Sequence, residues 1–162
     1  MNRNTAERWG RVSIALHWTI AALILLVQVP AGLTMDRIGP GLLQNVLYDV
    51  HKMTGLTVFA LVVIRLAWRW ANPVPELPPD LPPWQAGLAR LTHGLLYLLI
   101  LAMPVSGFIY TATGGFPVPL FYLVNLADFV PVNKPVAAMA KAVHLSLIWA
   151  LLAVVLLHVA GA

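Results

Sequence analysis

The chain has 162 residues, of which 60% are hydrophobic and only 10% are charged, and its mean hydropathy is +0.81. A soluble domain of this length carries about a quarter charged residues, so the polar surface is too small to cover a globule in water. The net charge of +4 indicates attraction to anionic headgroups, and no nucleic-acid-binding motif is present. The chain has no cysteine, which excludes disulfides, iron–sulfur clusters and cofactor attachment through C-x-x-C-H.

Four apolar runs are long enough to cross a bilayer, which takes about 20 residues. Because a lipid-exposed backbone must satisfy its own hydrogen bonds, each run is predicted to be a helix. The first follows a basic segment that could belong to a signal peptide, but no A-x-A cleavage site follows it, so we expect it to be uncleaved. The predicted fold is an all-α integral membrane bundle forming a single domain, 1–162, with helices at about 13–35, 46–70, 88–113 and 136–162.

Three loops join the helices. Residues 36–45 form a short turn, and residues 71–85 contain six prolines, which predict an extended connector. Residues 114–135 are longer, and their middle, 120–129, is predicted to be a short interfacial helix. Pro30 and Pro104 are predicted to kink the first and third helices.

Loop charges predict the orientation, because cytoplasmic loops carry the excess of lysine and arginine. The side that carries the N-terminus has six cations: Arg3, Arg8, Arg11, Arg65, Arg69 and Arg90. The other side has four: Arg37, Lys52, Lys134 and Lys141. The N-terminus is therefore predicted to be cytoplasmic.

All five histidines fall within predicted helices, where ionisable groups are costly and mark functional sites. His144 and His158 are fourteen residues apart. On a helix, that spacing places them within about 40° of one face and about 21 Å apart along the axis. One helix therefore presents two ligands at two depths, which suits two stacked cofactors better than one compact metal site.

The direction of each helix assigns the histidines to two levels. His51 and His144 are the two candidates at the outer level, so they form a nearly forced pair. The inner level has three candidates, His17, His93 and His158, and the spacing alone leaves their pairing open.

Several interpretations of these histidines compete. Single membrane histidines often only hydrogen-bond a neighbouring helix, but five in a two-level pattern are poorly explained in that way. A metal-transport site or a proton relay would recruit carboxylates, and the six acidic residues all lie at helix ends or in loops. Neutral imidazoles without carboxylate or thiolate best fit bis-histidine haem.

Three further residues fit haem by a spacing of fourteen residues from a histidine, or fifteen for Gly32. Arg65 lies fourteen residues after His51, at the inner level, where it could pair with a haem propionate. Gly107 and Gly32 fall at the outer level, where a residue without a side chain would let a flat macrocycle approach the backbone.

The predicted helices carry a set of short motifs in a fixed order. They are Ala15-Leu16-His17-Trp18, Val50-His51-Lys52-Met53-Thr54-Gly55, Thr92-His93-Gly94-Leu95-Leu96-Tyr97-Leu98-Leu99, Met103-Pro104-Val105-Ser106-Gly107 and the pair His144 and His158. Together these motifs resemble the bacterial cytochrome b561 family, which is related to the cytochrome b subunits of nickel hydrogenases and formate dehydrogenases. The proline-rich connector after Arg65 also fits, and the resemblance spans nearly the whole chain.

The resemblance implies two b haems per chain with bis-histidine ligation. It implies that both histidines of the last helix are ligands, so that His17 pairs with His158 and His51 with His144. His93 would then hydrogen-bond a propionate, help to bind a quinone, or replace His158 as a ligand.

The resemblance also implies one-electron transfer in the bacterial inner membrane. Small stand-alone members of the family suggest superoxide oxidation coupled to the reduction of ubiquinone or a similar quinone. Lys52 adjoins His51 and could steer superoxide, or another one-electron donor, toward the outer haem. The alternative role for Lys52 is to anchor a helix end in lipid headgroups.

Two other functions remain open at this point. One is a membrane-anchor subunit of a dehydrogenase or hydrogenase, and the other is a non-haem metal transporter. A homodimer is left open as the oligomeric state.

Overall fold

The computed structural model describes residues 1–161 and contains four helices that are long and apolar enough to cross a membrane. The predicted all-α membrane fold is therefore confirmed. The last residue that was predicted to be helical, Ala162, lies outside the described residues. The helices are α1 (Arg11–Thr34), α2 (Leu42–Trp70), α3 (Pro83–Thr113) and α4 (Lys134–Ala160).

The helices begin earlier than the apolar runs, because residues before each run are also helical. α3 begins at Pro83, where the missing N–H would have had no partner in any case. α4 begins after Asn133, whose side-chain oxygen accepts a hydrogen bond from the Val136 N–H at 3.2 Å. The apolar pattern therefore marks only part of each helix, and the helix continues beyond it at the N-terminal end.

α1 is not a regular α-helix along its whole length. Its middle, Leu23–Gln28, is π-helical, and Pro30 lies two residues after Gln28. Proline cannot donate a hydrogen bond to the preceding turn, and π turns occur where the regular ladder is interrupted. α3 continues through Pro104 to Thr113.

The four helices do not pack equally against one another. α1 packs on α2, α2 on α3, and α3 along α4, whereas α4 has little direct backbone contact with α1 or α2 among the described residues. The buried core lies between α1 and α2 and consists of Ile20, Ile24, Val58 and Val62. The bundle is therefore open between α4 and the pair α1–α2.

Residues 114–133 form a structured loop at what we call the hairpin end of the bundle, together with residues 35–41. Two short antiparallel strands, β1 (Pro119–Leu120) and β2 (Val124–Asn125), precede a 3₁₀ turn at Leu126–Phe129. The predicted interfacial helix over 120–129 was thus wrong for its first half. Phe121 and Tyr122 have φ values of 48° and 58°, which a hairpin turn requires and a helix does not allow.

The opposite end, called the terminal end, carries residues 1–10 and the connector 71–82. Asn4 is 6% exposed and joins the segments there. Its Oδ1 accepts from the Gly10 N–H and the Ser13 hydroxyl, and its Nδ2 donates to the Pro73 carbonyl. The N-terminal residues are therefore fastened to the connector and to the start of α1.

Candidate functional site

His51 and His144 face each other across the gap between α2 and α4, near the hairpin end. Their ring centroids are 6.3 Å apart and the ring planes are inclined by 84°. A cavity of about 640 Å³ lies here and is lined by both imidazoles and by mainly apolar side chains. The structure therefore brings together the two histidines that were predicted to share the outer level.

The imidazole of His144 is held by α3. Its Nδ1 lies 3.0 Å from the Met103 carbonyl oxygen and 3.0 Å from the Ser106 hydroxyl. Because a carbonyl can only accept, we assign the ring proton to Nδ1, which leaves Nε2 free to bind a metal. Hydrogen bonding of the second ring nitrogen to a carbonyl is typical of metal-ligating histidines. No role for Met103 or Ser106 is predicted from the sequence.

His51 is held in a different way. The side-chain amide of Gln28 donates to the His51 carbonyl oxygen at 2.8 Å and also contacts the Thr54 hydroxyl. Gln28 ends the π turn of α1, so this turn is fastened to the backbone of the histidine on α2. The Nδ1 of His51 is buried and has no hydrogen-bond partner among the described residues.

Two glycines lie directly against these imidazoles. A Cβ on Gly32 would stand 3.2 Å from Cε1 of His51, and a Cβ on Gly107 would stand 3.0 Å from Cε1 of His144. The sequence predicts that both glycines leave room for a macrocycle, and the structure places both beside the imidazoles of the predicted ligand pair.

The other three histidines meet near the terminal end. The His158 ring lies 6.0 Å from that of His17, with the planes inclined by 85°, and 5.2 Å from that of His93, inclined by 65°. His93 is exposed, whereas His17 and His158 are partly buried. The geometry thus makes His158 common to both pairings that the sequence left open.

Arg65 lies toward the same end, on α2. Its Nε donates to the Tyr97 hydroxyl at 3.1 Å, and its guanidinium carbon stands 5.9 Å from the centre of the Tyr97 ring. Tyr97 belongs to α3, so this contact ties α2 to α3.

Lys52 is engaged by its own chain at the hairpin end. Its ammonium lies 3.0 Å from the Asp49 carboxylate and donates to the Pro117 carbonyl at 2.9 Å. It therefore fastens the loop 114–133 to α2, and its positive charge is paired with the Asp49 carboxylate.

A family profile described as prokaryotic cytochrome b561 matches residues 8–162. The chain belongs to the cytochrome b561 family. It is 30% identical over 157 residues to Cytochrome b561 homolog 2 of Escherichia coli K12, covering 96% of this chain and 82% of that protein. It is 38% identical over 112 residues to Cytochrome b562 of Cereibacter sphaeroides, covering 66% and 67%.

A third relative is Probable superoxide oxidase CybB of Yersinia pestis, which is 24% identical over 141 residues, covering 87% of this chain and 78% of that protein. Membership of the family makes this chain a multi-pass membrane electron-transfer protein. Membership of this family does not support the alternative that the chain is a metal transporter.

A cytochrome b561 is expected to bind haem b, and the residues present fit it. Two imidazoles on opposite sides of one iron need ring centroids about 6 Å apart, since each metal–nitrogen bond is about 2 Å. The separations of 6.3 Å for His51 with His144 and 6.0 Å for His17 with His158 meet this requirement. The cavity of 640 Å³ also falls within the usual range for cofactor sites, about 300–1,000 Å³.

Proposed function

We propose that the chain holds two b haems and passes single electrons between a donor at the hairpin end and a quinone in the membrane. The observation that carries the proposal is the pair of histidine tiers, in which α4 contributes one imidazole to each. We call His51 and His144 the hairpin tier, and His17, His93 and His158 the terminal tier. Haem b held by two histidines supplies reversible one-electron chemistry without an open coordination position.

Within the terminal tier, we propose that His17 and His158 are the ligands. Their separation and inclination resemble those of His51 and His144, whereas His93 and His158 are closer than one intervening iron requires. α3 packs directly along α4, but α1 does not, so space for a macrocycle lies on the side of His17. His93 then remains available to a propionate or to a quinone, and Arg65 to a propionate.

We further propose that superoxide is the donor and ubiquinone the acceptor. Each of two superoxide ions loses one electron and becomes dioxygen, and one ubiquinone takes up both electrons with two protons. The name of the Yersinia pestis relative, Probable superoxide oxidase CybB, supports this choice. In this proposal the protein lies in the bacterial inner membrane with the terminal end in the cytoplasm and the hairpin end outside, as the six arginines of the terminal side favour.

The experiment is a visible spectrum with haem quantification on the purified wild type and on His51→Ala, together with superoxide-driven reduction of a soluble ubiquinone. The wild type should carry about two haems, the variant about one, and only the wild type should be fully active. A colourless wild type would overturn the haem proposal. A haem-loaded chain that is inactive until a dehydrogenase subunit is added would favour the membrane-anchor alternative.

Lys52 is proposed to attract superoxide to this end, and its contacts allow a paired test. Lys52→Gln removes the cation, so the rate should fall a few-fold and depend less on salt. Asp49→Asn removes the carboxylate that neutralises Lys52, so the rate should rise. Unchanged rates in both variants would leave Lys52 only the role of fastening the loop to α2.

A further inference from the structure

Lys141 lies within the membrane-spanning helix α4, on the hairpin side of His144. It follows Lys134, the first residue of α4, by seven positions, which places it about 10 Å along the helix. It lines the same 640 Å³ cavity as His51 and His144 and precedes His144 by one turn. A cation within a membrane helix is costly, and by default it marks a functional site.

The other cations of this end are all bonded to their own chain. Arg37 donates to the Leu33 carbonyl, Lys52 to Pro117, and Lys134 to the Gly114 carbonyl at 2.6 Å. Within residues 1–161, the Lys141 ammonium has no hydrogen bond or ion pair. Its Nζ stands 5.6 Å from the centre of the Tyr110 ring.

The carboxylates that line the cavity are also engaged. Asp36 accepts a hydrogen bond from the Tyr48 hydroxyl, and Asp49 pairs with Lys52. Lys141 is exposed in the structure, and among the described residues its ammonium has no carboxylate or carbonyl partner. It is therefore available to pair with an anionic group that occupies the cavity.

We propose that Lys141 binds a propionate carboxylate of the haem held by His51 and His144. The inference rests on the proposed function and adds a cofactor-binding residue to it. Lysine side chains on a helix point toward its N-terminus, so Lys141 reaches from His144 toward the hairpin end. In this proposal the propionates of that haem would face the hairpin end, where polar side chains such as Lys141 and Lys52 line the cavity.

The first test uses the reduction potential of the loaded protein. Oxidised haem carries one more positive charge than reduced haem, so a nearby cation favours the reduced form. Lys141→Gln should lower the midpoint potential of one haem, and Lys141→Arg should restore it. The haem that shifts should be the one lost in His144→Ala. Lys134→Gln removes an equal charge outside the cavity and should leave this potential near that of the wild type.

The second test blocks the carboxylates. The full chain is loaded with iron protoporphyrin IX or with its dimethyl ester, and dissociation of the hairpin-tier haem is measured. Lys141→Gln should release the free acid about tenfold faster than the wild type does, because a charge-assisted hydrogen bond contributes about 1.5–3 kcal/mol. With the ester, the wild type and Lys141→Gln should release haem at the same rate.

Three outcomes would overturn the assignment. One is that Lys141→Gln and Lys134→Gln shift the potential equally. Another is that Lys141→Gln accelerates release of the ester as much as release of the free acid. The third is that Lys141→Gln changes only the salt dependence of superoxide consumption, whether the chain holds the free acid or the ester. Lys141 would then be a site for the substrate anion. A wild type without haem would instead be a failure of the proposed function.

Discussion

The two histidine tiers differ in how firmly the chain defines them. In the hairpin tier, two imidazoles face each other across a cavity, each lies against a glycine, and one is hydrogen-bonded through Nδ1. In the terminal tier, three imidazoles converge, and none has a side-chain hydrogen bond within residues 1–161. In the hairpin tier, these contacts define one pair of ligands. In the terminal tier, three imidazoles are available for two ligand positions, so the contacts alone do not define the pair.

The largest effect should come from the terminal tier, where His158 is shared by both pairings. His158→Ala should reduce the haem content from about two to about one per chain. His17→Ala should do the same, and His93→Ala should retain both haems, because His93 is proposed not to be a ligand. Haem per protein, measured from the spectrum of the pyridine complex, checks all three variants.

The reverse pattern would assign the ligands differently. Two haems in His17→Ala with one in His93→Ala would make His93 the partner of His158. One haem in every variant would mean that all three histidines are needed to form the tier.

A smaller effect is expected from the glycine beside His144. Gly107→Ala would place a Cβ 3.0 Å from the ring, and displacing a packed side chain costs about 1–3 kcal/mol. The hairpin-tier haem should therefore dissociate about tenfold faster or more. Stopped-flow transfer of haem to an acceptor protein measures the rate.

Gly94→Ala is the matched control on the same helix, because a Cβ at that position meets nothing within 4 Å. Its haem retention should equal that of the wild type. Equal behaviour of the two variants would show that helix propensity, and not the room left for His144, explains the change.

The smallest effect is expected at Ser106. Ser106→Ala removes one of the two partners of His144 Nδ1 and leaves the Met103 carbonyl in place. The loss of one hydrogen bond costs about 1 kcal/mol, so haem release should accelerate about fivefold and the potential of this haem should shift. Ser146→Ala is the control, since that hydroxyl only donates to Ala142 of its own helix.

A potential that does not move in Ser106→Ala would mean that the Met103 carbonyl orients His144 by itself. The two tiers would then differ less than the hydrogen bonds indicate.

The sequence predicted the parts of this molecule that depend on regular helix geometry. Four spans follow from the lengths of the apolar runs, and the pairing of His51 with His144 follows from helix direction and rise. The contacts of these side chains could not be predicted in the same way. Ser106 and His144 are 38 residues apart, and Asn4 and Pro73 are 69 apart. Which polar groups meet over such separations depends on how the helices are rotated about their axes.

The loop 114–133 shows a second limit. Its apolar residues suggested an interfacial helix, but Lys52 and Lys134 are bonded to its backbone carbonyls, and Phe121 and Tyr122 adopt a turn. Bonds from a side chain to a distant carbonyl leave no signature in the sequence, since every residue has a carbonyl. The sequence shows that Lys52 follows His51. For the same reason, it does not show that Lys52 bonds the Pro117 carbonyl and holds the loop.

The π turn of α1 compensates for one extra residue that this helix has between the levels of the two histidine tiers. His17 and Gly32 are fifteen residues apart, whereas His93 and Gly107, like His144 and His158, are fourteen apart. A π turn holds one residue more than an α-helical turn, so Leu23–Gln28 absorbs the surplus, and Gly32 still reaches His51. α1 should therefore tolerate the deletion of Leu26 by reverting to a regular helix. By contrast, deleting one residue between His144 and His158 in α4 would rotate His158 by about 100° relative to His144.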